Sequence, residues 1–373
     1  MKTSRIRLSL SLIALSAGTL VACGGGSDGS EATTTVASST TSSSVAATTA
    51  APSSTEAVEV TTTTLPEPTM PLTGLPIVDQ LLAIRPAIVA KIDNHPGARP
   101  QSGLNQADIV YEENVEKWTR FAVVFQSQGS DPVGPLRSGR TQDINLLTSL
   151  NHPLFLWSGG NPTVTKMIAG SELVNMSASA ASNGGGFFRS KDKKAPHNLF
   201  AATTNIWLLD AGRGGTPPAQ FAYRSSSEPV PGDPVTGLKL TMDGQMHASW
   251  SWDPAKSAWV RNHDEKPHVD SNGEQINFQN VVVLVCEYGF SVADSRSPEA
   301  QTVGSGTAMV FTGGNLILGN WSRADEHSPW VLTEPNGNVI GLTPGKTWVE
   351  LTREGQTAVV AAGKSLADVP WPK

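Results

Sequence analysis

Two cysteines, Cys23 and Cys286, are the only thiols in 373 residues, so no disulfide framework holds this fold. Beyond the first two dozen residues there is no long apolar run, which excludes a second membrane crossing by a helix. Charge is sparse at 16%, and the 27 Lys and Arg are outnumbered by 33 Asp and Glu. A formal charge of −6 excludes attachment to nucleic acid through a basic surface. No internal repeat is visible. No His-x-x-x-His helix, Gly-x-Ser-x-Gly elbow or Ser-x-x-Lys stands where a known hydrolase would need it. Nothing in the sequence asks for a cofactor or a resident metal.

What is present begins with an address. Lys2, Arg5 and Arg7 form a positive start, and Leu8 to Ala17 an apolar stretch broken by serines, as in a secretory signal of residues 1–22. Leu20-Val21-Ala22-Cys23 has the small residues and the thiol of a lipobox, so Cys23 is expected to carry diacylglycerol. Loss of the three basic residues with the signal takes the formal charge from −6 to −9. At roughly 0.8 kcal/mol per buried methylene, a multiply acylated Cys23 would hold the chain on the outer, extracytoplasmic face of the cell membrane. Residues 24–70 hold 22 Ser or Thr among 47 positions, with no aromatic residue, Lys or Arg. Such a stretch buries too little apolar surface to fold. As a tether from 23 to 70 it reaches roughly 35–40 Å on average, and about 150 Å when straight.

The folded part, 71–373, reads as α+β. Residues 71–228 are expected to form a mixed α/β domain, with strands over Ala87 to Ile92, Thr119 to Gln126 and Leu154 to Trp157. Ile144, Leu147 and Leu150 fall at helical spacing. Asn198 is expected to cap a helix with Leu199, Thr203 and Ile206 or Trp207 inside. Past the Pro- and Gly-rich stretch 217–234, residues 229–373 read as a β-rich domain. Its short strands are Leu238 to Met242, His247 to Trp252, Trp259 to Asn262, Val281 to Cys286, Thr307 to Phe311 and Thr347 to Leu351. Eight of ten tryptophans lie after residue 200; core packing explains them better than a sugar-binding face.

The densest polar stretch runs from Lys91 through Asp93, Asn94, His95 and Arg99 to Leu104, directly after a strand. Glu112, Glu116 and Arg120 follow, then Gly134-Pro135-Leu136-Arg137-Ser138-Gly139-Arg140. Lys193-Lys194-Ala195-Pro196-His197-Asn198 leads into the expected helix. These segments, with Pro71 to Gly74 and Ala107 to Glu112, resemble the YerB-like bacterial lipoproteins. Trp259 to Arg261, His268 to Asp270, Asn280-Val281 and Gly345 to Trp348 resemble that family's C-terminal domain. The resemblance spans essentially all of 71–373. It implies a two-part extracytoplasmic lipoprotein and carries over no catalytic role.

Physical chemistry suggests what the clustered residues do. Arg137 and Arg140 flank a tight turn, and a guanidinium can fork onto a carboxylate or phosphate. With Asp93, Asn94, His95, Arg99, Ser138, His197 and Asn198 they would line an anion-accepting cleft, helped by free N–H groups at the expected helix start. Peptidoglycan, another envelope polymer or a wall-synthesis protein would be the partner. In the competing reading the arginines pair with Asp93, Glu112 or Glu116 and staple the domain. The catalytic alternative is a hydrolase or transferase on wall glycans or their phosphorylated precursors. It would use Asp93, His95 and Glu112, with Glu112, Asn114 and Glu116 on one strand face. Three other features are set aside. Gly341 to Thr347 is one residue short of a phosphate loop, and His263, His268 and Asp270 are expected to be solvent-exposed around a hairpin. Cys286 is expected to be a buried, unreactive thiol.

Overall fold

The computed structural model describes residues 67–243 and 246–373, so Cys23 and most of the Ser/Thr-rich stretch lie outside it. Strands β1 (Ile88–Asp93), β2 (Ile109–Glu113), β3 (Arg120–Phe125) and β4 (Leu154–Trp157) are buried at every residue. That is why they read as apolar runs and not as alternations: both faces of the sheet are covered. With β5 (Val174–Ser177) they stand in the order β2-β3-β1-β4-β5. The β2–β3 and β3–β1 pairs are antiparallel, and β1, β4 and β5 are parallel. The crossover to β5 runs through helix α3 (Pro162–Ala169), preceded by α1 (Gln80–Ile84) and α2 (Gln142–Leu147). Asn161 caps α3 by accepting the Val164 N–H, and Pro162 supplies a ready-made first-turn φ.

The expected helix at Asn198 is not there. Phe188–Arg189 (β6) and Leu199–Phe200 (β7) form a two-stranded ribbon, and the helix α4 starts later, at Thr203–Leu208, with Ala202 at its cap. Tertiary pairing overrides the local pattern. Leu199 accepts a hydrogen bond from the Leu136 N–H at 2.6 Å, and Ala201 accepts one from Val133 at 2.8 Å. The Asn198 amide is spent inside the ribbon, accepting from Arg189 and donating to the Ser190 carbonyl. The helix-start anion site expected at Lys193 to Asn198 is therefore absent.

The second half supplies β8 (Asp233–Met242), β9 (Met246–Asp253), β10 (Ala258–His263), β11 (Lys266–Pro267), β12 (Asn277–Phe278) and β13 (Asn280–Val285). A ribbon of β14 (Tyr288–Ser291) and β15 (Asp294–Ala300) follows, then β16 (Gly304–Thr312), β17 (Asn315–Arg323), β18 (Val331–Thr333), β19 (Thr347–Thr352) and β20 (Thr357–Ala361). The order β11-β10-β9-β8-β17-β16-β13-β19 continues directly into β2. At the seam β19 runs parallel to β13 on one side and β2 on the other, with Thr347 opposite Ile109 and Glu350 opposite Glu112. The architecture is a β-rich α+β fold.

Six of the ten tryptophans are core, and Trp118, Trp207, Trp252 and Trp371 are partly buried. Trp250, Trp259, Trp321 and Trp348 are buried, and Trp348 meets Phe121, Trp250 and Phe278 edge-on at 5.1–5.3 Å. Residues before Thr347 form a turn into β19, and the Lys346 ammonium donates to the Asn105 carbonyl. Cys286 is buried and its thiol pKa is pushed up to about 12 by desolvation. The expected exposure of His263, His268 and Asp270 is wrong: all three are at most 7% exposed. The loop after β1 lies across their hairpin, with Asp270 accepting the Gly103 and Asn105 N–H groups. Among the described residues no helix is long and apolar enough to cross a membrane.

Candidate functional site

The chain leaves the buried sheet at the C-terminal end of β1, and there Asp93 gathers groups from three distant segments. Its Oδ1 accepts the His95 N–H at 3.0 Å; its Oδ2 meets His197 Nδ1 at 2.5 Å and Arg137 Nε at 3.3 Å. The His95 ring stacks on His197 at 4.1 Å, with the Trp118 edge 5.5 Å away. Gly97 makes this approach possible, because a Cβ there would lie 3.3 Å from His197 Cδ2. Arg137 is placed by the backbone: its N–H donates to the Lys91 carbonyl, and Pro135 accepts from Asp93. The Arg137 and His197 side chains are 26% and 16% exposed, so this cluster meets solvent. Burial first, and His197 second, hold the His95 imidazole below its usual pKa.

A wider cationic group surrounds it. Arg140 pairs with Glu116 at 2.8 Å, and the buried Arg120 donates to the Ser138 carbonyl at 2.7 Å. Burial first, then repulsion from Arg140 and Arg137, lower the Arg120 pKa to about 9 against the opposing pull of Asp93 and Glu116. Arg137 and Arg140 thus take Asp93 and Glu116, while Arg120 bonds a backbone carbonyl.

The other expected site residues go elsewhere. Asn94 is fully buried; its amide donates to Thr119 and Glu112, and its oxygen accepts from His263 Nε2 at 2.9 Å. Arg99 donates to the Asn94 carbonyl at 2.9 Å and stands apart from Asp93, facing two hollows that flank Pro100. Asn198 is 8% exposed and spent within its ribbon. No histidine or carboxylate hydrogen-bonds the Ser138 hydroxyl among the described residues, so it has no base. Glu112 is inside the protein: its Oε2 meets Arg261 at 2.7 Å, and its Oε1 accepts from Thr119 at 2.6 Å. Nor do Glu112, Asn114 and Glu116 share a strand face. β2 ends at Glu113, and Glu116 sits beyond it at φ 56° with an exposed carboxylate. Glu112 consequently offers neither metal ligation nor acid–base chemistry beside Asp93 and His95.

Sequence reasoning missed a fully buried polar network under this surface. Arg261 bridges Glu112 and His268 Nδ1, and His268 passes the chain on to Gln101 at 2.9 Å. Burial, then repulsion from Arg261, keeps both His263 and His268 neutral. Glu350 lies across the seam from Glu112, accepting from Trp250 Nε1 at 2.9 Å; burial and the Glu112 charge push its pKa well up. On the other side of Asp93, Lys91 binds Glu113 and Asp143 at 2.6 Å each, with all three side chains inaccessible. The sequence signal was a charge in the middle of an apolar strand: Lys91 in β1, Glu350 in β19.

A two-part fold with this loop cluster at its centre defines a class. The family described as "Protein of unknown function (DUF3048) N-terminal domain" matches residues 72–214, and its C-terminal domain matches 238–349. The chain belongs to this two-domain family, to which the YerB-like proteins resembled in sequence also belong. One relative is the Bacillus subtilis (strain 168) protein named "Putative lipoprotein YerB", 26% identical over 306 residues, which are 79% of this chain and 89% of that one. The crystal structure of YerB protein from Bacillus subtilis superimposes with a TM-score of 0.69 at 24% identity, covering 79% of this chain and 99% of that one; this likeness speaks for the fold alone.

Proposed function

We propose that this protein is a lipoprotein, anchored through Cys23 on the extracytoplasmic face of the membrane, that binds an anionic group of the cell envelope at the Asp93–Arg137–His197 face. The lipobox and the lipoprotein name of its relative support the anchor. The observation that carries the binding reading is the cluster of guanidiniums: Arg137 and Arg140 pair with Asp93 and Glu116, Arg120 makes no ion pair among the described residues, and the Arg137 edge is open to solvent beside the stacked His95 and His197. An anion there gains charge-assisted hydrogen bonds from a cation that is already positioned. Stem-peptide carboxylates and wall-polymer phosphates have that chemistry, as does an acidic surface on a wall-synthesis protein.

The test is co-sedimentation of residues 67–373 with purified cell-wall sacculi. Arg137→Ala is expected to weaken binding about tenfold or more, in line with a hydrogen bond to a charged group at roughly 1.5–3 kcal/mol. Equal pelleting of wild type and Arg137→Ala would sink the reading. One feature favours a second reading, a hydrolase or transferase on wall glycans or their phosphorylated precursors. Asp93 holds His197 by Nδ1, which leaves Nε2 free to move a proton. Fragments released into the supernatant by wild type and not by His197→Ala would move the protein to that class.

A further inference from the structure

The loop that carries His197 also closes a second hollow. Residues 190–198 join β6 to β7, and this ribbon packs its two phenylalanines face to face, 5.5 Å apart and 18° from parallel. Phe200 is 4% exposed and lies beneath; Phe188 is 48% exposed and shows a ring face to solvent. Beside them is a cavity of about 520 Å³, within the roughly 300–1,000 Å³ usual for small-ligand sites. Its rim is polar. Ser190 and Asp192 come from the loop; Ser271 comes from the second half of the chain and is held by the Ser102 hydroxyl at 2.8 Å. The Lys193 ammonium bonds the Arg99 carbonyl at 2.8 Å and fixes the loop over the hollow.

An exposed aromatic face supported by a second ring, with hydroxyls and a carboxylate around it, suits a ring that is apolar on its face and rich in O–H donors at its edge. A neutral pyranose has that shape: its axial C–H groups pack on the phenylalanine and its hydroxyls donate to Asp192 and the serines. Arg99 and Lys193 also line the hollow, but Lys193 bonds the Arg99 carbonyl and Arg99 the Asn94 carbonyl, which leaves Asp192 and the serines to meet the hydroxyls of a ligand. We infer that the Phe188 hollow is a subsite for a neutral sugar ring, and that the ligand of the protein is a glycan whose anionic substituent lies at the Arg137 face. This rests on the anion-binding reading only for the second half of that statement.

Calorimetric titration of the full lipidated chain, in a detergent without a sugar headgroup, with chitotetraose tests the subsite directly. Wild type and Phe188→Trp are expected to bind it; Phe188→Ala is expected to lose about tenfold or more in affinity. Phe188 is half-exposed, so its removal leaves the fold in place, checked by an unchanged melting temperature. Arg137→Ala is assayed on sacculi alone, where it is expected to lose binding. Absence of chitotetraose binding to wild type, or equal binding by Phe188→Ala, overturns the sugar subsite even where Arg137 still governs sacculus binding. Chitotetraose binding that depends on Phe188 upholds the subsite even if Arg137→Ala leaves sacculus binding intact, an outcome that removes the anion reading alone.

Discussion

Arg261→Met is expected to lower the unfolding free energy by about 3–5 kcal/mol, measured by urea denaturation at pH 7. The Glu112 carboxylate has no access to water, and its one cationic partner is Arg261 at 2.7 Å. Without the guanidinium, Glu112 keeps its bonds from Thr119 and Asn94 but stands as an uncompensated charge next to Glu350. Met fills much of the volume among the Trp348, Trp250 and Phe121 rings, so the loss reports the charge more than the packing. Glu112→Gln combined with Arg261→Met should recover most of the loss, because the stranded charge is then gone. A single variant that costs less than about 1 kcal/mol would overturn this account of the pair. The same network leads outward through Asn94, which accepts from His263 and precedes His95. The exposed cluster thus stands on a buried charge pair, and under the proposed anion binding the loosened variant should also hold anions more weakly.

Much of this was legible in residues. The runs Ile88–Asp93, Arg120–Phe125 and Leu154–Trp157 announce themselves because strands buried on both faces leave no polar alternation to misread. The meeting of Asp93, His95, Arg137 and His197 was not legible in the same way: their segments are polar, but they lie far apart in sequence and only an assumption brings them together. What was hidden is long-range pairing. Leu199–Phe200 has the spacing of a helix start and becomes a strand only because residues 133–136 run beside it. His263, His268 and Asp270 look like a solvent-exposed hairpin until the loop of Gln101 to Asn105, more than 150 residues earlier, is laid over them. The seam of β19 on β2, which sets Glu350 against Glu112, has no local sequence cue. Burial of a charge is a property of the partner that covers it, and that partner is remote in each of these cases.

Lys91→Met is expected to cost about 3–5 kcal/mol, and the cost should grow with pH. Lys91 lies in mid-strand and is the one cation bonded to both Glu113 and Asp143, at 2.6 Å each and with no exposure at any of the three. One ammonium cannot neutralise two carboxylates, and the wild type resolves this by keeping a proton. Burial, with repulsion from Asp143 and against the attraction of Lys91, pushes the Glu113 pKa up to about 8. Between the unfolded value near 4.5 and about 8, the folded state therefore binds a proton that the unfolded chain releases. Stability is then fully present below the unfolded pKa and falls as pH rises toward 8. His263 and His268 act in the opposite sense below about pH 6.5, where unfolded imidazoles charge and the buried ones do not. The clear window is accordingly pH 6.5 to 8, where one such proton amounts to roughly 2 kcal/mol. Glu113→Gln, which carries no titrating proton, should flatten the decline across that window by about this amount. Lys91→Met should steepen it, since both carboxylates then need protons to stay buried. Urea denaturation of the three proteins at pH 6.5 and pH 8 measures both changes; a Glu113→Gln slope equal to wild type would show that the proton resides elsewhere, with Glu350 across the seam the first place to look.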